Sequence, residues 1–383
     1  MIKMTQIKPY KTRDNVTQYY FNVYVGRNPK TGKNVYRKRQ GFKTKKQAQI
    51  ALADLLKDIE ENGLFNENKV MTFKDLYDMW LKQHRLNVKP STIATNRRFV
   101  EGHVLPHLGD MKLDDITVVY CQELVNTWYE DYKQYPYFRK VAAQIMRYGE
   151  AMEIMKSNPM AKTILPRKKE EEKKLEYYTK DELQHFFECL EDFGNYKNLA
   201  FFRALAFTGC RKSGILSLQW EDIDLFNKTV SIGKTLAIDE HFNIIIQTPK
   251  TSSSVRDISL DDETIKVLSR WRSIQRQEYF QMGFNTTSDK QYVFTNERNE
   301  LYYPQVANDW LNYIIKKYNL PRITPHNFRH THASILLQAG VPIKEVSERL
   351  GHKDIKITLE IYSHVMPEEA EKTASKFANF VGF

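Results

Sequence analysis

The sequence predicts a multidomain, mainly helical protein with α+β elements. A small sheet-plus-helix domain opens the chain, a helical domain follows, and a mainly helical C-terminal domain carries a small antiparallel sheet. Three observations predict this. Apolar and polar residues alternate with a period of two near the N-terminus, whereas the apolar spacing over most of the remaining chain is helical. Two polar stretches, 63–69 and 167–174, interrupt the periodicity and read as linkers, dividing the chain into 1–65, 70–165 and 175–383. The net charge of +11 is confined to one end: the first fifty residues hold 13 Lys and Arg against Asp14 alone, and the other 333 hold 45 basic and 46 acidic groups.

A chain of 383 residues suffices for two or three domains. With 41% hydrophobic and 27% charged residues, it is neither collagen-like nor wholly disordered. No apolar run approaches the ~20 residues that span a bilayer, and the N-terminus lacks a signal-peptide pattern. The expectation is a cytoplasmic protein without a membrane partner. Cys121, Cys189 and Cys210 are too few and too far apart for a disulfide framework or a zinc site. A basic unit of this size attracts polyanions, nucleic acid foremost.

Taken in order, Gln18 to Val25 alternate as a half-buried strand, Asn28–Gly32 has turn chemistry, and Asn34–Gln40 returns as a second strand. Arg37, Lys38 and Arg39 on that strand are candidate DNA contacts. Thr44 can cap a helix to about Glu60, with Ala48, Leu52, Leu55 and Ile59 inward. In the middle domain Phe73, Leu76, Tyr77 and Trp80 fall at helical spacing, Pro90 opens another helix, and the pattern continues through Trp128 and Ile145 to about Ser157. These aromatics read as core. Thr179 to Glu182 form a capping pattern that opens the last domain. There the helical spacing is interrupted by extended segments at Thr229–Ile232, Phe242–Gln247 and Val255–Leu260.

No phosphate-binding glycine loop, HExxH pair or carboxylate-rich metal loop occurs, so no cofactor or metal is expected. What stands out is an ordered set of cationic and imidazole groups. Arg211 lies in Thr208-Gly209-Cys210-Arg211, Lys250 in Pro249-Lys250-Thr251, and His326 and Arg329 in His326-Asn327-Phe328-Arg329. His352 follows Leu350-Gly351, and Tyr362 comes ten residues later.

In order and spacing this set resembles the tyrosine recombinases of phages and conjugative transposons, over the whole last domain and in the three-part layout. The resemblance implies an arm-type DNA-binding domain, a core-binding domain and a catalytic domain with an exchanged C-terminal tail. It makes Arg211 and Arg329 the catalytic arginines, Lys250 the hairpin lysine, His326 and His352 the catalytic histidines, and Tyr362 the nucleophile. Breaking a phosphodiester without metal needs a nucleophile, a proton acceptor, a proton donor and cations on the non-bridging oxygens. Tyr362 would attack, His326 take its proton, Lys250 protonate the 5′ oxygen, and the arginine forks clamp the phosphoryl group. His352 would donate to the phosphate, while His330, His332 and His364 read as structural or phosphate-neighbouring.

The resemblance further implies integration and excision of a mobile element through a 3′-phosphotyrosine and a Holliday junction. A homotetramer would act on double-stranded core and arm sites, with an excisionase and a host DNA-bending factor as candidate partners. One position departs: the family usually has Glu or Asp three residues after the first arginine, where this chain has Gly214. Two other readings are a type IB topoisomerase-like enzyme and a non-catalytic regulator. The second draws on Ser334–Gln338, the turn at 339–342 and Ile343–Leu350, which have the pattern of a helix-turn-helix.

Overall fold

The computed structural model describes residues 6–12, 15–27, 34–62, 71–167, 176–248, 255–362 and 381–382. Both expected linkers lie at or beyond the edges of these segments. Lys250 with its loop, and nearly all of the chain after Tyr362, also fall outside them. Two compact units result. One comprises Met1–Trp80, Val104–Tyr135 and Ala142–Thr163, and the other Leu81–His103, Pro136–Val141 and Ile164–Phe383.

The first unit starts with an antiparallel sheet in the order β1 (Lys8–Lys11), β2 (Thr17–Arg27), β3 (Asn34–Phe42). The sequence indicated only β2 and β3. β1 is an edge strand of four residues containing Pro9 and two lysines, too short and polar to show a period. Helix α1 (Lys45–Asn62) follows, and Thr44 Oγ1 accepts the Gln47 amide at 3.2 Å as its cap. Phe21, Val23, Ala48 and Leu55 are the buried centre of this domain. Ile59 was expected beside them, but its side chain is outside the description.

Helix α2 (Phe73–His84) buries Phe73, Leu76, Tyr77 and Trp80, as their spacing predicts. α3 (Pro90–Phe99), α4 (Leu105–Leu108), α5 (Val118–Asp131) and α6 (Tyr135–Ala151) complete the helical region. Trp128 is buried in α5. α6 stops short of Ser157 because the chain turns, with Glu153 at φ 58°.

In the second unit, α7 (Lys180–Phe193) begins with the expected reciprocal cap. The Thr179 amide donates to Glu182 Oε2 at 2.7 Å and the Glu182 amide to Thr179 Oγ1 at 3.3 Å. α8 (Tyr196–Thr208) is buried on most sides and leads to the single turn α9 (Lys212–Ile215). Strands β4 (Ile223–Asp224), β5 (Thr229–Ile232) and β8 (Arg256–Ser259) form one antiparallel sheet, and β6 (Thr235–Ile238) pairs with β7 (Ile244–Gln247) in a separate hairpin. The segment expected from Phe242 starts later because Phe242 is in the tip, at φ 63°, where Asp239 Oδ1 accepts the His241 and Asn243 amides. β6 was not expected. Helices α10 (Asp262–Gln281), α11 (Val306–Tyr318), α12 (Asn327–Gln338), α13 (Ile343–Leu350) and α14 (Ile355–Tyr362) follow.

The main core stacks Phe186, Phe201, Phe202, Trp271, Phe294 and Phe328. A smaller cluster of Ala333, Leu337, Val346 and Leu350 holds Tyr362 between α12, α13 and α14. Among the described residues no helix is long and apolar enough to cross a membrane.

Candidate active site

Arg211, His326, Arg329, His352 and Tyr362, spread over 152 positions of sequence, line one cavity of about 630 Å³. Lys234, Arg256, His330 and Lys353 line it as well. The lining thus includes five Arg or Lys side chains and three imidazoles, with no carboxylate among the described residues. Lys234 is paired with Asp222 at 3.1 Å and Glu221 at 3.4 Å, but the remaining cations still make a site that attracts an anion.

Local backbone geometry places these groups. Gly209 closes α8 with φ 63°, and a Cβ there would lie 2.7 Å from the His332 ring, so the turn into Arg211 requires glycine. Arg211 caps α9, and among the described residues its exposed guanidinium has no hydrogen bond. Gly351 at φ 69° likewise ends α13 and turns His352 inward, where Nδ1 lies 2.7 Å from Thr358 Oγ1.

Arg329 is only 2% exposed. It donates to Gly209 O at 2.9 Å and Leu350 O at 2.7 Å, two carbonyls at the negative ends of α8 and α13. Burial, then the charges of Arg211 and Arg256, push its pKa down to about 10. Arg256 donates to Arg349 O at 2.6 Å and to Cys210 Sγ at 3.6 Å, and burial foremost lowers its pKa. Arg349 fastens the frame behind them, donating to Phe207 O, Ser259 O and His332 Nε2 at 3.0 Å each.

The imidazoles are held neutral. Burial foremost, aided by nearby arginines, depresses His326, and it takes His352 to about 4. Burial, His326 and Arg329 take His330 to about 4. Tyr362 is 1% exposed, and burial pushes its phenol up to about 12, partly opposed by Arg329. Its hydroxyl lies 2.7 Å from His330 Nδ1. The expected acceptor, His326, instead stands edge-on to His330 with ring centroids 4.9 Å apart. Ile355 and Leu359, which share a helical face with Tyr362 by spacing, are 42% and 48% exposed, so they do not join it in the core.

Sequence reasoning missed His330 as a partner of Tyr362 and missed Arg256 altogether. A signal for Arg256 existed: it occupies the apolar phase of its strand, two residues from buried Ile258. Gly214 lines the same cavity, and a Cβ there would be 3.8 Å from Ile232 Cγ2 and 4.0 Å from Lys234 O, which are ordinary contacts. Among the described residues no group of three or more His, Cys, Asp and Glu could hold a metal ion.

The N-terminal candidates are divided by register. Lys38 is opposite Asn22 and shares the open face of the sheet with Tyr20, Tyr24 and Tyr36, its ammonium 5.3 Å from the centre of the Tyr20 ring. Arg37 and Arg39 are opposite Val23 and Phe21, on the face that α1 covers farther in, although both side chains are exposed.

The chain also resembles known proteins along its length. Residues 6–59 match an arm DNA-binding domain, 72–129 the N-terminal SAM-like domain of phage integrases, and 176–369 the phage integrase family itself. A XerC-like tyrosine recombinase of Caldanaerobacter subterraneus is 30% identical over 379 residues, spanning 93% of this chain and 94% of its own. The Tn1549 transposon integrase, solved with a circular intermediate DNA, shares the fold at a TM-score of 0.66 and 21% identity, covering 80% of this chain and 100% of that one. The lambda integrase tetramer bound to a Holliday junction does so at 0.57 and 17%, covering 90% and 95%. With the family matched across more than half its length, the chain belongs to the phage integrase family, the tyrosine recombinases that cleave and rejoin DNA in site-specific recombination.

Proposed function

We propose that this recombinase integrates and excises a mobile element, with Tyr362 as its nucleophile and with Arg211, Lys250, His326, Arg329 and His352 around the scissile phosphate. The observation that carries this reading is the cavity itself, whose described lining has no carboxylate and gathers the arginines around Tyr362. A phosphodiester entering it meets two kinds of arginine. Arg329, already fastened by two carbonyls, acts as a fixed positive wall, and Arg211 has its fork available to the non-bridging oxygens. Tyr362 attacks phosphorus in line, the 5′ oxygen leaves with a proton from Lys250, and a 3′-phosphotyrosine conserves the bond energy for rejoining without ATP. His352, its Nδ1 occupied by Thr358, has Nε2 left to donate to the phosphate.

Residues 1–65 serve arm sites, 70–165 core sites, and 175–383 carry catalysis and the tail that neighbouring protomers exchange. On the N-terminal sheet, Lys38 and the tyrosines of the open face approach arm DNA, with Arg37 and Arg39 reaching phosphates at its edge. The active form is a homotetramer that proceeds through a Holliday junction, the assembly in which the lambda integrase was solved. An excisionase and a host bending factor set direction. No divalent metal takes part.

The test is covalent trapping on a nicked core-site substrate in EDTA. Wild-type protein is expected to give an SDS-resistant adduct and Tyr362→Phe none, with core-site binding retained. A persistent adduct in Tyr362→Phe, or an absolute need for a divalent metal, overturns the reading.

A further inference from the structure

His326, the cap residue of α12, and His330 are four positions apart, so both imidazoles project from the same side of the start of the helix. Only one of them meets the tyrosine. The Tyr362 hydroxyl, brought in by α14, is 2.7 Å from His330 Nδ1, with the two rings 5.7 Å apart at 53°. No hydrogen bond joins His326 to Tyr362 among the described residues. A phenol that is to attack phosphorus must lose its proton as the new bond forms, and the group already in hydrogen-bond reach is the one placed to take it.

We infer that His330, rather than His326, is the base that accepts the Tyr362 proton, an assignment resting on the reading of Tyr362 as the nucleophile. The assignment requires the hydroxyl to donate, with Nδ1 free of hydrogen and Nε2 the protonated nitrogen. In the step itself the O–H bond breaks toward Nδ1, the Oη–P bond forms, and the P–O5′ bond breaks. The 5′ oxygen takes its proton from the separate acid. Rejoining reverses each change, and His330 returns the proton to the tyrosine oxygen. His326 is then left, with His352, to address the phosphate.

The surroundings set the energetics of that transfer. His326 and Arg329 face His330 from its own helix, Tyr362 from α14, and His352 from the turn between α13 and α14. None of them is a carboxylate. Burial and the cations hold His330 near 4 and burial holds Tyr362 near 12, so direct transfer between them needs help from the substrate's charge. A bound phosphodiester adds negative charge among those cations. That offsets the Coulombic penalty on an imidazolium and favours transfer only when substrate is present.

Single-turnover adduct formation on a core-site suicide substrate tests this, alongside core-site binding by gel shift. His330→Ala is expected to slow adduct formation by ~10²-fold or more, the scale of a lost general base, with binding intact. Replacing Tyr362 by a fluorinated tyrosine, whose hydroxyl ionises more readily, should recover at least about tenfold of that loss, the expected reward of easier ionisation. The same replacement should give little gain when His330 is present or in His326→Ala. A 5′-bridging phosphorothiolate, whose sulfur leaves without an acid, should not rescue His330→Ala. Three results overturn the inference: near-normal adduct formation in His330→Ala or His330→Gln, no recovery with fluorotyrosine, or full rescue by the phosphorothiolate. Adduct formation by Tyr362→Phe is a distinct outcome, which removes the nucleophile assignment itself.

Discussion

On the N-terminal sheet, Arg37, Lys38 and Arg39 stand exposed on an edge strand, while in the catalytic cavity Arg329 is 2% exposed and tied to two backbone carbonyls. Both regions concentrate positive charge, but under opposite conditions. Exposed cations keep their hydration until DNA binds. They contribute affinity through counterion release, so their effect fades with salt. Buried cations are desolvated during folding, and the fold must offset that cost with carbonyls and dipoles. They stand fixed where charge develops and need no reorganisation at the moment of reaction. The lesson is that charge on this chain does two jobs, and burial decides which.

The sharpest way to break the comparison is to remove the buried charge. Arg329→Ala should reduce cleavage by at least ~10²-fold. It should also lower the stability of the folded chain, because two carbonyls lose their donor at roughly 1–3 kcal/mol each. Arg211→Ala should match the catalytic loss but leave thermal stability unchanged, since among the described residues its guanidinium has no hydrogen bond. Single-turnover cleavage paired with thermal melts separates the two; equal destabilisation by both variants contradicts the distinction.

A smaller effect is expected from supplying the missing acid. Gly214→Glu meets only ordinary contacts at Cβ and should fold, placing a carboxylate in a cavity whose described lining has none. Cleavage is expected to rise a few-fold, on the order of one added hydrogen bond. An unchanged or lower rate in a normally folded variant would mean that the cavity works by cations alone.

On the sheet, Lys38→Ala should weaken arm-site binding more than Arg37→Ala, because Lys38 shares the open face with three tyrosines. Each substitution should reduce the salt slope of log K by about 0.9. Equal losses would indicate that the edge, not the face, lies on DNA.

The smallest effect concerns pH. The folded pKa values of His330 and His352, near 4, lie below the ordinary 6.5, so the unfolded chain binds more protons between these values. Their contribution to stability is therefore present above about 6.5 and lost as pH falls toward 4. Melting temperatures measured across that window should decline less in a His330→Gln, His352→Gln double variant. An identical decline would place the acid sensitivity elsewhere.

How much of this was legible depends on the range over which each feature is decided. The Thr179–Glu182 cap, the buried face of α2 and the β2–β3 pair were readable because their signals are complete within a few residues. β1 and β6 were not: β1 is a short polar edge strand containing Pro9 and two lysines, and β6 follows β5 after only two residues. The set Arg211, His326, Arg329, His352 and Tyr362 was legible only as an ordered pattern. Which histidine meets the tyrosine was not: His326 and His330 are one helical turn apart on the same face, and sequence spacing favours neither. Arg256 was hidden because a charged residue in a short strand reads as exposed until its sheet partners are known.

The sequence by itself determined the residue types, their order, the concentration of charge in the first fifty residues and the approximate bounds of β2, β3 and α1, because all of these arise from local preferences and periodicity. Tertiary structure alone decided that Arg329 would be buried against the ends of α8 and α13, that register would set Lys38 apart from its neighbours, and that His330 would take the tyrosine hydroxyl. Those outcomes depend on how elements distant in sequence pack, and a hydrogen bond of 2.7 Å between α12 and α14 exists only once both helices share one hydrophobic cluster.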